Sequence, residues 1–336
     1  MSGNAGPRNE FPGVSVVVCV HENADKLNRL LASLSVQSYP AFEIVIVNDG
    51  PNAEIAAQLD TYRNDQRLRI LDFDSKEKNS PGKKAPLSAG ILAAQHDWLL
   101  LTDGDCVPGS EWITGMARHA GGEVKVVLGY APFFSKRGVL NSLQRFDNLL
   151  TAVQYLGAAM RGRPYMGVGR NLLYHRSLFR QANGFSKHAH VISGDDDLLI
   201  QEVATHRNTT ICIEPTTFVY SDAPETLDRW IVQKHRHLSA SRLYSRFAKR
   251  QNAAFALSWL MFWILLPIVL INGWYWYFTG IAMVLLLWVL CARIAGKLEQ
   301  QALTPWYPVL AACYCLLLCW FAVLLTLRPP KTWMRS

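Results

Sequence analysis

The chain has 336 residues, half of them apolar and only 18% charged, which is too long for one minimal domain and too apolar for a wholly soluble one. Its net charge of +8 gathers between Arg236 and Arg250 and in the tail RPPKTWMRS; with no nucleic-acid motif beside it, that charge suits an anionic membrane surface and argues against nucleic acid as a partner. The seven cysteines show no zinc-site spacing, and no disulfide framework is expected.

The opening MSGNAGPRNEFPG is polar and lacks the apolar core of a signal peptide, so the region ahead of the membrane is expected to be cytoplasmic. VSVVVCV (14–20) is a continuous β-branched run that reads as a buried parallel strand, and Leu27, Leu30, Leu31 and Leu34 follow at helical spacing. EIVIV (43–47), LRILDF (68–73) and WLLLTD (98–103) read as further strands. A helix running through Leu59 and another carrying Leu87, Ile91 and Leu92 alternate with them. The pattern predicts an open, mostly parallel, Rossmann-like α/β sheet, whose ligands gather at the carboxyl ends of its strands. Those ends carry His21, Glu22 and Asn23, then Asn48 and Asp49, then Asp72 and Asp74, then Asp103 and Asp105.

Residues 138–160 predict an amphipathic helix with Leu143, Phe146, Leu149, Leu150 and Val153 on one side, expected to pack on the sheet. GVGRNLLYHRS (167–177) reads as a strand and turn; its GVG is no dinucleotide fingerprint, because no helix begins there. Three apolar runs then occupy 253–271, 274–290 and 306–327, each close to the roughly 20 residues that cross a bilayer, with Trp and Tyr near their ends. They predict two or three membrane helices. Basic residues before Ala253, with Arg293 and Lys297 after the second run, keep the soluble part in the cytoplasm by the positive-inside rule. Three full crossings would put the tail outside, unless the third run is re-entrant. The expected division is a flexible 1–12, a cytoplasmic α/β domain over 13–250 and a membrane anchor over 251–336.

Chemistry is suggested at four places. TDGDC (102–106) sets Asp103 and Asp105 two residues apart beyond a buried strand; hard carboxylate oxygens there suit magnesium or manganese, and a plain Asp-Gly turn is the alternative. SGDDDLLIQEVA (193–204) opens a helix with three acids. One or two would complement the helix dipole, and three adjacent like charges imply a cation or a proton-transfer task for one of them. QKHRH (233–237) lies near the end of a helix beginning around Thr226, where Arg236 suits a diphosphate and a membrane collar is an equal reading. Lys83 and Lys84 either contact phosphate or form an exposed pair.

With those residues in order, the chain resembles the family 2 glycosyltransferases, specifically bacterial membrane-anchored members with the GT-A fold. EIVIVNDG is similar to the family's IVVDDGS element, with Asn48 in place of the first Asp and Asp49 retained. Lys83 falls where the family has a Lys near the nucleotide, TDGDC matches its D-x-D metal motif, SGDDDLL looks like its catalytic acidic element, and QKHRH resembles QxxRW. Two departures stand out: the family's NE pair is swapped as Glu22-Asn23, and His237 replaces the Trp of QxxRW, which weakens the case for a processive synthase. The resemblance implies an inverting, metal-dependent transfer of sugar from a UDP-linked nucleotide sugar to a hydroxyl or phosphate of a lipid or glycolipid in the bacterial inner membrane. It puts Asp49, Lys83, Asp103, Gln233 and Arg236 on the nucleotide sugar, and Asp103 and Asp105 on the metal. It puts the base on Asp195, with Asp196 beside it, and Arg170, Asn171 and His237 on the acceptor side. A processive polysaccharide synthase and a non-catalytic nucleotide-sugar-binding protein are the alternatives.

Overall fold

The computed structural model describes residues 12–21, 24–50, 52–74, 81–271 and 273–327. Glu22, Asn23 and the basic tail lie outside the described residues. By compactness the chain divides into Met1–Ala131 with Tyr155–Ser221, and Pro132–Gln154 with Asp222–Ser336. The boundary at 250 drawn from hydropathy is thus a proposal about where the membrane begins.

The first unit is built on a parallel core. β1 (Val14–Val20), β2 (Phe42–Asp49), β3 (Leu68–Phe73) and β4 (Trp98–Asp103) pair in the order β3-β2-β1-β4, all parallel. β2 is buried along its whole length, and its apolar run over 44–47 suits a strand covered on both faces. α1 (Ala24–Ser35) buries the four predicted leucines, and α2 (Ala53–Asp60) starts at Asn52, whose side chain accepts from Glu54 N and Ile55 N. α3 (Lys84–Ala93) lies on β1 and β2 through Leu87 and Ile91, while Leu92 is exposed.

Beyond β4 the sheet changes character. β7 (Leu172–His175) runs antiparallel to β4 and to β6 (Val126–Leu128), and β8 (Thr209–Ile211) closes the order β3-β2-β1-β4-β7-β6-β8. β5 (Cys106–Pro108) leaves the main sheet to pair with β9 (Val219–Ser221). Asp103 and Asp105 therefore sit where the chain passes from one sheet to the other. α4 (Trp112–Arg118), α6 (Arg176–Gln181) and α7 (Asp197–Val203) complete this unit with the last turns of α5 (Val139–Met160).

The predicted helix over 138–160 forms as α5, but it does not simply cover the sheet. Phe146 meets the rings of Tyr307 and Tyr314 at 5.9 and 6.0 Å inside the second unit. Its far end belongs to the first unit, where Tyr155 Oη donates to Gly129 O. An apolar stripe records that a partner exists, not which one.

The second unit also holds α8 (Leu227–Ser241) and three long apolar helices, α9 (Arg246–Ile271), α10 (Trp274–Lys297) and α11 (Tyr307–Leu327). Among the described residues, three spans are long and apolar enough to cross a membrane, Arg246–Ile271, Trp274–Lys297 and Gln301–Phe321, the last running from the 3-10 turn before α11 into that helix. The third run is a continuous helix of 21 residues, about 30 Å at the rise of an α-helix, so its length does not call for a re-entrant segment. Trp259 Nε1 donates to Ala311 O and Trp288 Nε1 to Thr304 O, giving both indoles a partner among apolar neighbours. Lys234 pairs with the buried Asp147, and Arg145 Nε donates to Gln300 Oε1 at 2.9 Å.

Candidate active site

The carboxyl ends of β1, β2 and β4 converge as the sheet type predicts. Asn48, near the end of β2, donates through Nδ2 to Asp72 Oδ1 on β3 at 2.9 Å, tying the two strand ends together. Asp49 is 2% exposed; His21, just past β1, bonds its main-chain carbonyl and stands 4.0 Å from its carboxylate.

Lys83 is the central cation of the group. Its Nζ donates to Asp103 Oδ1 at 2.8 Å and lies 3.1 Å from Asp195 Oδ2, joining the end of β4 to the segment before α7. Burial works against its charge, yet Asp103, Asp195 and Asp196 outweigh burial and hold its pKa well above the ordinary lysine value. Sequence separation hides this junction, because Asp103 and Asp195 come from distant stretches of the chain.

The three successive acids have three different environments. Asp195 is 6% exposed and faces Lys83. Asp196 caps α7: Oδ1 accepts from Asp197 N at 2.8 Å and Oδ2 from Gly169 N at 2.7 Å. Burial, then the Asp195 charge, pushes the Asp196 pKa up to about 6, against the pull of Lys83 and the two amides. Asp197 Oδ1 accepts from Leu198 N. The dipole reading of the acidic run therefore accounts for Asp196 and Asp197, and leaves Asp195 as the acid directed at the cation.

Asp105 is raised above the ordinary carboxylate range by burial and then by Asp103. Two oxygen-donor side chains in mutual repulsion, joined by a turn at the end of a buried strand, fit a divalent ion of the magnesium or manganese kind. Arg170 lowers the Asp105 pKa and donates to Ser221 Oγ on β9, so it stands on the Asp105 side of the group.

Asn171 departs from expectation. It is fully buried, its Nδ2 donates to Tyr130 O and Thr217 O, and its Oδ1 accepts from Trp112 Nε1 at 2.8 Å. The side chain spends its donors on the fold, which removes it from the acceptor side. Lys84 departs too: it is neither exposed nor directed at the acids, but buried against backbone carbonyls.

Gln233, Arg236 and His237 lie within α8 of the second unit, in its middle rather than near its end. Spacings of three and four put them on neighbouring positions of the helix surface; Gln233 and Arg236 are half-buried and His237 is exposed. One grouping was invisible to cysteine spacing. His119, Cys212 and Glu214 place ligand atoms within 4.8 Å of one another. Arg118 also approaches Glu214, and Thr217 Oγ1 lies 3.3 Å from Cys212 Sγ, contacts that belong to the packing of α4 on the 214–217 turn.

A family model described as glycosyl transferase family 2 matches residues 15–182. Glycosyltransferase AglE of Haloferax volcanii is 28% identical over 193 residues, covering 55% of this chain and 59% of that protein. A poly-beta-1,6-N-acetyl-D-glucosamine synthase of Staphylococcus aureus is 22% identical over 268 residues, 76% of this chain and 61% of that one. The matches thus span about three fifths of the length of these curated relatives. Among solved structures, a mannosyltransferase of Pyrobaculum calidifontis in complex with GDP-Man and Mn2+ superposes with a TM-score of 0.57 at 17% identity, over 92% of this chain and 88% of that one, which is a likeness of fold.

Proposed function

The chain belongs to glycosyl transferase family 2, and from that premise we propose that it moves a sugar, with inversion, from a UDP-linked donor to a hydroxyl or phosphate of a membrane lipid or glycolipid. The observation that carries the proposal is the Asp103–Lys83–Asp195 junction at the strand ends. It puts a cation where a diphosphate would need one and, against that cation, the Asp195 carboxylate that the motif makes the base.

In this reading Asp49 faces the base or ribose, and Lys83 faces the diphosphate. Asp103 and Asp105 would hold magnesium or manganese, which would supply positive charge against the diphosphate. Asp195 takes the proton from an acceptor hydroxyl as that oxygen attacks the anomeric carbon in line, and Asp196 keeps the neighbouring backbone in place. Gln233 and Arg236 act on the diphosphate and His237 on the acceptor, together with Arg170; for the α8 residues this rests on the motif. An acceptor phosphate would arrive ionised and depend less on Asp195. Three candidate spans and the basic stretch before them support a membrane acceptor, with the inner membrane as the location and the catalytic part on the cytoplasmic side.

Asp195→Asn is the test. Transfer to a hydroxyl should fall by about a thousandfold, within the range for loss of a general base, while UDP binding with manganese survives. Unchanged turnover would move the base to Asp196 or elsewhere. A processive synthase is the second reading, favoured by the likeness to the staphylococcal enzyme. Mass spectrometry of lipid extracts incubated with a nucleotide-sugar panel separates the two: one sugar per acceptor supports the proposal, and long chains support the synthase.

A further inference from the structure

Lys84 follows Lys83 directly and is 1% exposed. Its ammonium donates to His188 O at 2.7 Å, Val191 O at 2.6 Å and Ser193 O at 2.7 Å, which uses all three of its hydrogens. His188 ends a 3-10 turn and its carbonyl also accepts from Val191 N at 3.1 Å, whereas Val191 and Ser193 lie in 189–196, which contains neither helix nor strand, so their carbonyls lack the partners that regular structure would give them. A single side chain reaches all three.

The same two segments meet a second time. Gly82 has φ +79°, and a Cβ there would stand 2.4 Å from Ile192 O, so only glycine lets the turn before α3 come this close. On the other side, His188 Nδ1 lies 3.2 Å from Glu202 Oε1 of α7. The segment then turns through Gly194, at φ +91°, directly into Asp195; a Cβ on Gly194 would meet Leu198 Cδ1 at 2.4 Å. Burial lowers the Lys84 pKa, while Asp195, Asp197 and Asp196 raise it in part, so the buried charge has electrostatic company as well as carbonyl partners.

We infer that Lys84 is a positioning residue for Asp195: by fixing the backbone of 188–193 it sets where the Asp195 carboxylate stands against Lys83 and Asp103. This rests on Asp195 being the general base. Lys84 itself touches no substrate, and its contribution reaches the reaction through one carboxylate.

The experiment uses the full chain in detergent, with hydrogen exchange, UDP-manganese binding, and turnover of a UDP-sugar panel with a polar lipid extract. Lys84→Met should lose amide protection across 188–197 while β1 and β4 keep theirs. Its kcat should fall about 100-fold, the size expected when a reacting group shifts by about an ångström, with the donor KM changed less than about threefold. In an Asp195→Asn background the same substitution should cost almost nothing more, because both act on one step. Retained protection, retained turnover, or a full further loss in that background would each overturn the proposal. Should Lys84→Met fail to fold, Lys84→Arg keeps the charge, but its planar fork cannot meet three carbonyls arranged around an ammonium. A roughly tenfold fall in kcat at constant KM is then expected, and wild-type turnover sinks the idea. Turnover that survives Asp195→Asn condemns the base assignment, whereas exchange in Lys84→Met reports on the clamp by itself.

Discussion

Lys83 and Lys84 are joined by one peptide bond, yet the first faces carboxylates and the second faces carbonyls. The same division recurs nearby. Asp195 faces Lys83 while Asp196 accepts two backbone amides, and Arg170 stands by Asp105 while Asn171 binds Trp112 and two carbonyls. Three adjacent pairs thus split between an acid-facing group and the backbone-holding layer beside it. The contrast teaches that residue type sets what a side chain can do, while its neighbours in space decide which of those things it does.

The largest expected break in this symmetry, after loss of Asp195, is Lys83→Met. Removing the shared cation leaves Asp103 and Asp195 facing each other without it, and takes away a positive charge from the diphosphate side. Turnover should fall about 100-fold, as for loss of one preorganised electrostatic partner, and UDP affinity should weaken with it. Amide protection over 188–197 should stay near wild type, opposite to the result expected for Lys84→Met. If both variants loosen that segment equally, the two lysines share one structural job and the contrast fails.

Asn171→Ala sharpens the contrast from the holding side. It strands the buried Trp112 indole N–H and the Thr217 carbonyl, while Tyr130 O keeps Val219 N, a loss of about 2–4 kcal/mol at the usual cost of unmade hydrogen bonds. The expected readout is a Tm several degrees lower with donor KM unchanged. A large rise in KM at unchanged Tm would instead return Asn171 to the ligand side.

How much of this could be read from the sequence follows the same line. β1 and β2 were legible from their β-branched runs and β4 from its short apolar run, each of which suits a strand covered on both faces. Asp103 and Asp105 were legible because they follow such a strand. β6 and β8 have three residues each, too few for any periodicity to declare itself. Lys84 was illegible for a different reason: its acceptors lie 104, 107 and 109 residues away, in a segment with no pattern of its own. Asn171 and the shared role of α5 were hidden likewise, since each depends on which distant element arrives beside it.

The smallest effect expected is a pH dependence, and it separates Asp196 from Asp195. Burial and then the Asp195 charge push the Asp196 pKa from an ordinary 3.8 up to about 6 in the folded chain. Between those values the folded state binds more protons than the unfolded one, so stability declines as pH rises from about 4 to about 6, then levels off. Asp196→Asn cannot titrate and should lack this decline, although it loses part of the amide capping at every pH. The difference in Tm between wild type and Asp196→Asn should therefore change across that window, by an amount equivalent to about 1–3 kcal/mol, and be flat above it. Magnetic resonance of a labelled Asp196 would give the same midpoint directly. A flat difference from pH 4 to 6 would mean that the two amides and Lys83 hold Asp196 ionised, making it an acid-facing partner of Asp195 and not a member of the holding layer.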